Sequence, residues 1–580
     1  MSREATVHSN KNTSMEKNLQ SGFEDSRLPT NHTPQEDNTV LQHMDQTEGG
    51  KPQWLQGSTL IIIMVALTIV SYLMLLDVSV VSTALPAITN EFNSLPDLGW
   101  YGAAYQLSNA ALQPLSGKIY THFTPKWTLL IYFFVFEVGS LICALATSSN
   151  MLIVGRTIAG MGNSGIPNGC VTIIAGMVPL HKRPALLGIM MGISQLGLAS
   201  GPLVGGALTE YTTWRWCFWI NLPIGAIVAL LVVFIRIPDP LFKEPSLTVL
   251  RTLHKKLDFI GVAGFAGSVI MLLLAIQFGG IRFPWNSPTI IGLFCGSGIT
   301  FLLWIAWSMK KSDKSLIPLK LMKQRPVWSS CLTYGLTMGS LFTTSYFLPV
   351  YFQGVLGATP LLSGVQLLPN IIPQLLAAVL SGILVTRIGY YIPFSLIGAV
   401  FISVGAGLIS TYSPMTPLAR RIGFQIILGT GYGLSLQMPL VAIQNSVQLH
   451  QLPVAVGVLM FCPQLSGALL VSFGNTIFSN SLRNLVPQYA PSVNPDIVVA
   501  AGATSLRNAV PPSTLHNVLI AYAKSVDRVY YLGAGCGVAT FFSAWGMGWK
   551  NIRRTEKPEL PQSPRPQEQE SHELVRLAKN

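Results

Sequence analysis

Between residues 58 and 549 the chain has 492 positions but only 36 Asp, Glu, Lys and Arg side chains. A soluble domain carries charge on about a quarter of its positions, so this stretch cannot coat a water-exposed surface. The other 25 of the 61 charges lie in residues 1–57 and 550–580, which are polar, nearly neutral (12 basic, 13 acidic) and without a long apolar run. Across all 580 residues the chain is 50% hydrophobic, with a mean hydropathy of +0.47. A large soluble enzyme and a wholly disordered protein are both excluded. The expectation is an all-α polytopic membrane protein in a lipid bilayer, with a disordered tail at 1–57 and a second polar tail at 550–580.

A helix needs about 20 apolar residues to cross the hydrocarbon of a bilayer. Fourteen stretches qualify: 58–85, 98–120, 127–147, 151–178, 183–208, 214–236, 258–280, 288–308, 326–354, 361–386, 391–410, 420–446, 453–478 and 529–549. An even number puts both tails on one side. The middle of the chain holds 25 basic and 11 acidic residues, so the net charge of +13 resides there. With the N-terminus inside, 16 of those basic residues fall in short inner loops and four in outer ones (Arg215, Arg282, Arg420 and Arg421). This positive-inside bias makes both tails cytoplasmic and residues 479–528 one long outer loop. The Asn-x-Ser/Thr sequons at Asn12 and Asn31 are then expected to be unused.

The basic balance is thus a topology signal, and no nucleic-acid partner is expected. All seven cysteines sit in apolar segments without CxxC or CxxH spacing, so they read as small hydrophobes, with no metal site. No cleavable signal peptide is expected, since the first apolar run begins near Ser58 behind a polar leader. No P-loop, HExxH or GxSxG with triad partners occurs, and the nine histidines lie in tails, loops or their edges. An enzyme is not expected, nor a cofactor.

An internal repeat runs through the spans. Ser116-Gly117 recurs as Ser381-Gly382, Gly160-x-Gly162 as Gly429-x-Gly431, and Gln195-Leu196 as Gln464-Leu465, while Arg156 falls on Gln425. The simplest division is a six-helix half at 58–236, a linker with two inserted spans at 237–325, and a second six-helix half at 326–549. Two halves rocking about a midplane site is the alternating-access arrangement of secondary transporters.

Three ionisable groups lie well inside spans: Asp77, Glu137 and Arg156. A charge near the bilayer midplane costs several kcal/mol, so each marks a functional site or an ion pair that fixes helix packing. Desolvation raises a carboxyl pKa and a nearby Arg lowers it, which lets protonation follow access to water. Asp77 is expected to exchange a coupling proton, tuned by Arg156, with Glu137 as a further candidate. Gly160 to Gly165 matches GxGxxG, but no strand precedes it, and close helix packing explains it better. The fifth span carries Gly192, Gly197, Gly201-Pro202 and Gly205-Gly206. Gly197, Gly201, Pro202, Gly205 and Gly206 are expected to act as a conformational hinge. Gln195, Gln425, Gln437, Asn445, Gln464 and Tyr346 are candidate cavity residues, since buried amides serve either as polar handles for a substrate or as glue between helices.

Several segments resemble one family. Leu76-Asp77 through Ala84-Leu85-Pro86 resembles the first-span signature of the fourteen-span drug:proton antiporters of the major facilitator superfamily. Gly155-Arg156-Thr157-Ile158-Ala159-Gly160-Met161-Gly162 is similar to the fourth-span motif whose Arg is implicated in proton coupling, and Gly192 to Gly206 to the fifth-span antiporter motif that marks exporters. Trp214-Arg215-Trp216-Cys217-Phe218-Trp219-Ile220-Asn221-Leu222-Pro223 resembles the sixth-span signature of the group. Tyr346 to Gln353 and Gly423 to Ile427 look like the fungal toxin and multidrug efflux branch. One motif departs. The loop from Gly117 to Lys126 has Thr121 and His122 where the superfamily usually has Asp and Arg, so the charge-relay gate proposed for that loop is in doubt in this half.

The resemblance implies a major facilitator fold and a proton-driven exporter of small, largely apolar organic compounds (toxins, secondary metabolites or drugs), without a cofactor and monomeric, in the plasma membrane. A vacuolar membrane, a carrier of cationic amino acids or iron chelates, and a non-transporting receptor remain alternatives.

Overall fold

The computed structural model describes residues 54–553, apart from 95–96, 240–242, 244–245, 253–255 and 281. The sequons and nearly all of both tails lie outside the described residues. The first part of the chain folds into helices α1 (Ser58–Phe92), α2 (Leu98–His122), α3 (Pro125–Ala144), α4 (Ser149–Asn163), α5 (Ile166–Met177), α6 (Arg183–Tyr211), α7 (Trp216–Trp219) and α8 (Asn221–Phe234). Then come α9 (Ser246–Arg251), α10 (Phe259–Phe278), α11 (Pro288–Lys311) and α12 (Leu319–Met322). The rest comprises α13 (Arg325–Gly354), α14 (Pro360–Gln366), α15 (Leu368–Ile388), α16 (Ile392–Ile409), α17 (Leu418–Ser435), α18 (Met438–Ser446), α19 (Leu452–Tyr489), α20 (Pro495–Ala509) and α21 (Pro512–Ala544).

Helix occupies each of the fourteen expected places. Among the described residues, ten segments are long and apolar enough to cross a membrane. The remaining places are α2, α13 and α21, which carry more polar side chains, and the fourth, which is split into helices of 15 and 12 residues.

That split is one difference from the sequence reading, which treats 151–178 and 420–446 as unbroken. Pro167 follows the break between α4 and α5, and Pro439 the break between α17 and α18. Proline has no N–H for the ladder and its ring crowds the carbonyl four residues back, so a new helix begins around each. A second correction concerns 479–528, expected as a long outer loop. It is mostly helical: α19 continues to Tyr489, α20 follows, and α21 begins at Pro512. Leu482, Leu485 and Val486, then Val518, Ala521 and Tyr522, recur at helical spacing and are buried, so these extensions pack as amphipathic helices.

Glycine contacts set the packing. A Cβ on Gly160 of α4 would overlap the Tyr105 carbonyl and Ser108 hydroxyl of α2, and one on Gly162 would overlap the Phe136 backbone of α3. In the second part, Gly429 of α17 abuts the Asn370 carbonyl of α15, and a Cβ on Gly431 would come 2.7 Å from the Ile402 nitrogen of α16. The two Gly-x-Gly pairs therefore meet corresponding neighbours, which explains why they recur in the sequence. At one end of the bundle, α2 meets α19 and α6 meets α15 through backbone. A Cβ on Gly117 would lie 2.6 Å from the Pro453 carbonyl oxygen, and one on Gly382 would lie 2.5 Å from that of Pro184. Asn168 of α5 donates to the same Pro453 oxygen at 3.0 Å. At the opposite end, a Cβ on Gly99, Gly102, Gly206 or Gly364 would meet nothing within 4 Å.

The Trp-Arg-Trp segment clamps that second end. Arg215 forms a two-pronged pair with the Glu91 carboxylate, at 2.8 and 3.1 Å, and donates to the Ala146 carbonyl, while the Trp214 indole donates to Glu91 at 2.6 Å. Glu91 lies beyond the apolar window Ser58–Val81. The Arg215 hydrogen bond, assisted by Trp214, holds its carboxyl below the ordinary carboxylate value against an opposing push from burial. A depressed pKa stabilises the fold at pH values above the ordinary one, and that contribution disappears as pH falls through the depressed one. Side-chain exposures of 28% and 42% limit it to less than ~1 kcal/mol after solvent screening. The thermal-midpoint advantage of the wild type over Arg215→Gln, measured in detergent, is therefore expected to be present at pH 7 and lost below the ordinary Glu pKa. An advantage that persists unchanged in acid would assign Arg215 a packing role only.

Candidate functional site

An ion pair buried in the first part of the bundle is built from helices far apart in sequence. Asp77 of α1 and Arg156 of α4 are 0% and 2% exposed, and the Arg156 Nη1 donates to Asp77 Oδ2 at 2.6 Å. The Arg156 Nε donates to the Tyr101 carbonyl of α2 at 3.2 Å. Its guanidinium lies over the Tyr105 ring, 4.3 Å from the centroid, with Phe218 of α7 at 5.8 Å. The second Asp77 oxygen accepts from the Asn221 amide of α8 at 3.3 Å, and the same amide nitrogen lies 3.3 Å from the Ser140 hydroxyl of α3. Residues from six helices thus converge on one carboxylate–guanidinium pair.

Sequence folds this way for local reasons. Gly160 and Gly162 let α4 approach α2 and α3 closely enough for Arg156 to reach across. Gly197 and Gly201 do the same between α6 and α1, where a Cβ would overlap the Tyr72 carbonyl and the Ser79 side chain. The Ser79 hydroxyl donates to the Gly197 carbonyl at 3.1 Å, and Tyr72 meets Ser200 at 2.9 Å.

Such a pair is stable only while both charges are present, because removing one leaves the other desolvated and uncompensated. A proton delivered to Asp77 cancels the carboxylate and frees the Arg156 guanidinium for another acceptor. The buried Asn221 Oδ1 and Tyr105 hydroxyl, both without a hydrogen-bond partner among the described residues, stand at the same place. Tyr105 and Asn221 are missing from the sequence-based candidates. Asn221 sits within the sixth-span segment and is a polar residue in an apolar run, but its partner depends on helix rotation.

Of the remaining candidates Glu137 lies nearest, one turn from Ser140 and within electrostatic reach of Asp77, and the others fall elsewhere. Glu137 of α3 is packed against Gly225 of α8, and neither of its oxygens has a hydrogen-bond partner among the described residues. Gln437 caps the break before α18 and donates to the Ala378 carbonyl at 2.8 Å and the Ser381 hydroxyl at 3.0 Å, so it ties α18 to α15. Gln425, 2% exposed, donates to the Arg421 carbonyl of its own helix beside Tyr412. Asn445 hydrogen-bonds the Tyr391 side chain. Gln195 is buried, Gln464 half-buried, and Tyr346 is 49% exposed with its ring against Phe347. In the glycine run, α6 is a continuous helix through Pro202, Gly205 is buried with its carbonyl facing the Cys217 sulfur, and Gly206 is open on its Cβ side. Gly197 and Gly201 are contact points with α1 rather than a break in α6. A further buried carboxylate, Asp527 of α21, lies in the stretch 479–528 that the sequence reading takes as outer loop. It escapes the sequence reading because residues 512–528 are polar enough to pass for loop.

A family model described as Major Facilitator Superfamily matches residues 67–471. The MFS-type transporter pigP of Monascus ruber is 52% identical over 506 residues, covering 87% of this chain and 89% of that protein. The efflux pump mlcE of Penicillium citrinum is 43% identical, with 90% and 95% covered. Among solved structures, the human organic anion transporter MFSD10 superposes with a TM-score of 0.54 at 14% identity, covering 84% of this chain and 100% of that one. The proton:xylose symporter XylE gives 0.53 at 15%, with 86% and 99% covered. Both structural likenesses concern the fold. The chain is a multi-pass membrane protein and belongs to the Major Facilitator Superfamily.

Proposed function

We propose that the protein exports small, largely apolar organic compounds, such as toxins or secondary metabolites, by proton-coupled alternating access. Fourteen spans form two six-helix halves, 58–236 and 326–549, around an inserted pair within 237–325, with both termini cytoplasmic in the plasma membrane. Asp77 exchanges the proton and Arg156 tunes it. The buried Asp77–Arg156 pair is the observation that carries this reading, since a desolvated ion pair in the bilayer is retained at high cost and is sensitive to one proton. Relatives named as efflux pumps support the direction of transport.

With that orientation, the Gly117–Pro453 and Gly382–Pro184 contacts hold the cytoplasmic end together. Close backbone contact and the Asn168 bond do there what charged loop residues do elsewhere, which accommodates Thr121 and His122. Gln195, Gln464 and Tyr346 are candidate polar contacts for substrate; Gln437 and Asn445 hold helices together. The test is substrate-dependent proton movement in proteoliposomes, with substrates chosen by comparing toxin accumulation in cells with and without the gene. Transport of such compounds without proton movement would refute the coupling, and unchanged accumulation across the panel would refute export.

A further inference from the structure

A second buried carboxylate lies in the other part of the bundle, beside a cavity. The loop Thr411–Met415 between α16 and α17 and the first turns of α21 enclose about 300 Å³, lined among others by Tyr412, Met415, Ile520, Lys524 and Asp527. Asp527 is 9% exposed and its Oδ1 has no hydrogen-bond partner among the described residues. It shares no residue with the Asp77–Arg156 pair.

The surroundings explain what this carboxylate lacks. Lys524, one turn earlier on α21, is turned toward α19, where its Nζ donates to the Tyr489 hydroxyl at 2.5 Å and sits 4.9 Å from that ring's centroid. The Tyr351 hydroxyl donates to the Ser413 carbonyl and that of Tyr412 to the Arg421 carbonyl, both at 2.8 Å, so neither reaches Asp527 with its proton. The Tyr530 hydroxyl is buried and has no hydrogen-bond partner among the described residues. Arg528 points to Ser481. The Tyr351 and Tyr412 rings, 5.2 Å apart, fix the wall against which Met415 and Ile520 add apolar surface.

Lys524 is within electrostatic reach of Asp527 and His516 also lines the cavity, but among the described residues neither forms an ion pair with the carboxylate, whose Oδ1 is left to a donor from solution. The space is too large and too poor in oxygen ligands for a bare metal ion, which takes several carboxylates or carbonyls at fixed distances. An anion is disfavoured by Asp527 itself. An apolar wall, a thioether and one carboxylate suit a compact organic ammonium, attracted by charge and held by apolar contact. We propose that this cavity binds a small aryl- or alkylammonium ion, with Asp527 as its counter-charge and Tyr412 and Met415 as its apolar wall.

The test is calorimetric titration of purified full-length protein with phenethylammonium chloride, beside its neutral counterpart 2-phenylethanol. Saturable binding of the ammonium alone is expected, weakened about 10-fold or more in Asp527→Asn. Ile520→Trp, which keeps the carboxylate but fills the cavity, is expected to abolish binding, and decides the matter if Asp527→Asn does not fold. Equal binding of the alcohol, full binding by a folded Asp527→Asn or by Ile520→Trp, or no saturable binding by the wild type would each overturn the assignment. None of these readouts depends on transport, so the site and the export reading fail separately.

Discussion

Arg156→Ala is expected to destabilise the protein by about 3–5 kcal/mol, because it leaves Asp77 ionised, buried and without its partner. Asn221 alone supplies one hydrogen bond at 3.3 Å to the abandoned carboxylate. The thermal midpoint in detergent should fall well below that of the wild type, and transport should be lost. The double variant Asp77→Asn/Arg156→Gln removes both charges and keeps polar side chains of similar size. It should recover much of the lost stability while remaining uncoupled, since no group that exchanges a proton is left at that place. If the single variant melts like the wild type, the pair contributes little to the fold; if the double variant still drives proton movement, the pair is not the coupling site.

An equally large effect is expected from packing. Gly160→Val and Gly162→Val place side-chain atoms where α2 and α3 run, against backbone that cannot swing aside. Overpacking of a close-packed core typically costs about 1–3 kcal/mol, and a clash with a neighbouring helix's backbone lies at or beyond the upper end. Folded yield after membrane extraction should collapse for both, and for Gly429→Val and Gly431→Val in the corresponding positions. Gly206→Ala is the control, since its Cβ side is open, and should extract and melt as the wild type. Normal yields from the Gly160 and Gly162 variants would mean that α4 is not held as tightly as these contacts require.

Hydropathy made the helical places legible because lipid demands satisfied backbone, and little but helix satisfies it in an apolar run of this length. Gly160, Gly162, Gly429 and Gly431 were legible as packing residues for a similar reason: their spacing repeats because their neighbours do. The breaks at Pro167 and Pro439 were not, since proline inside an apolar run reads alike whether the helix bends or restarts. Asp77 and Arg156 stood out as charges, but their other partners depend on helix rotation, which no linear pattern reports for Asn221 or Tyr105. Gln437 shows what polarity alone leaves open. It suited either a substrate handle or glue between helices, and a helix break beside it supplies backbone and hydroxyl acceptors. Asp527 was hidden because a polar amphipathic helix and a loop look alike until the apolar face of Val518, Ala521 and Tyr522 finds its neighbours.

The coupling role of Asp77 is tested most directly in proteoliposomes that enclose a pH-sensitive dye, with a transported substrate applied to wild type and to Asp77→Asn at matched incorporation. The account predicts substrate-dependent proton movement by the wild type and none by a folded Asp77→Asn. Undiminished proton movement by that variant would contradict it.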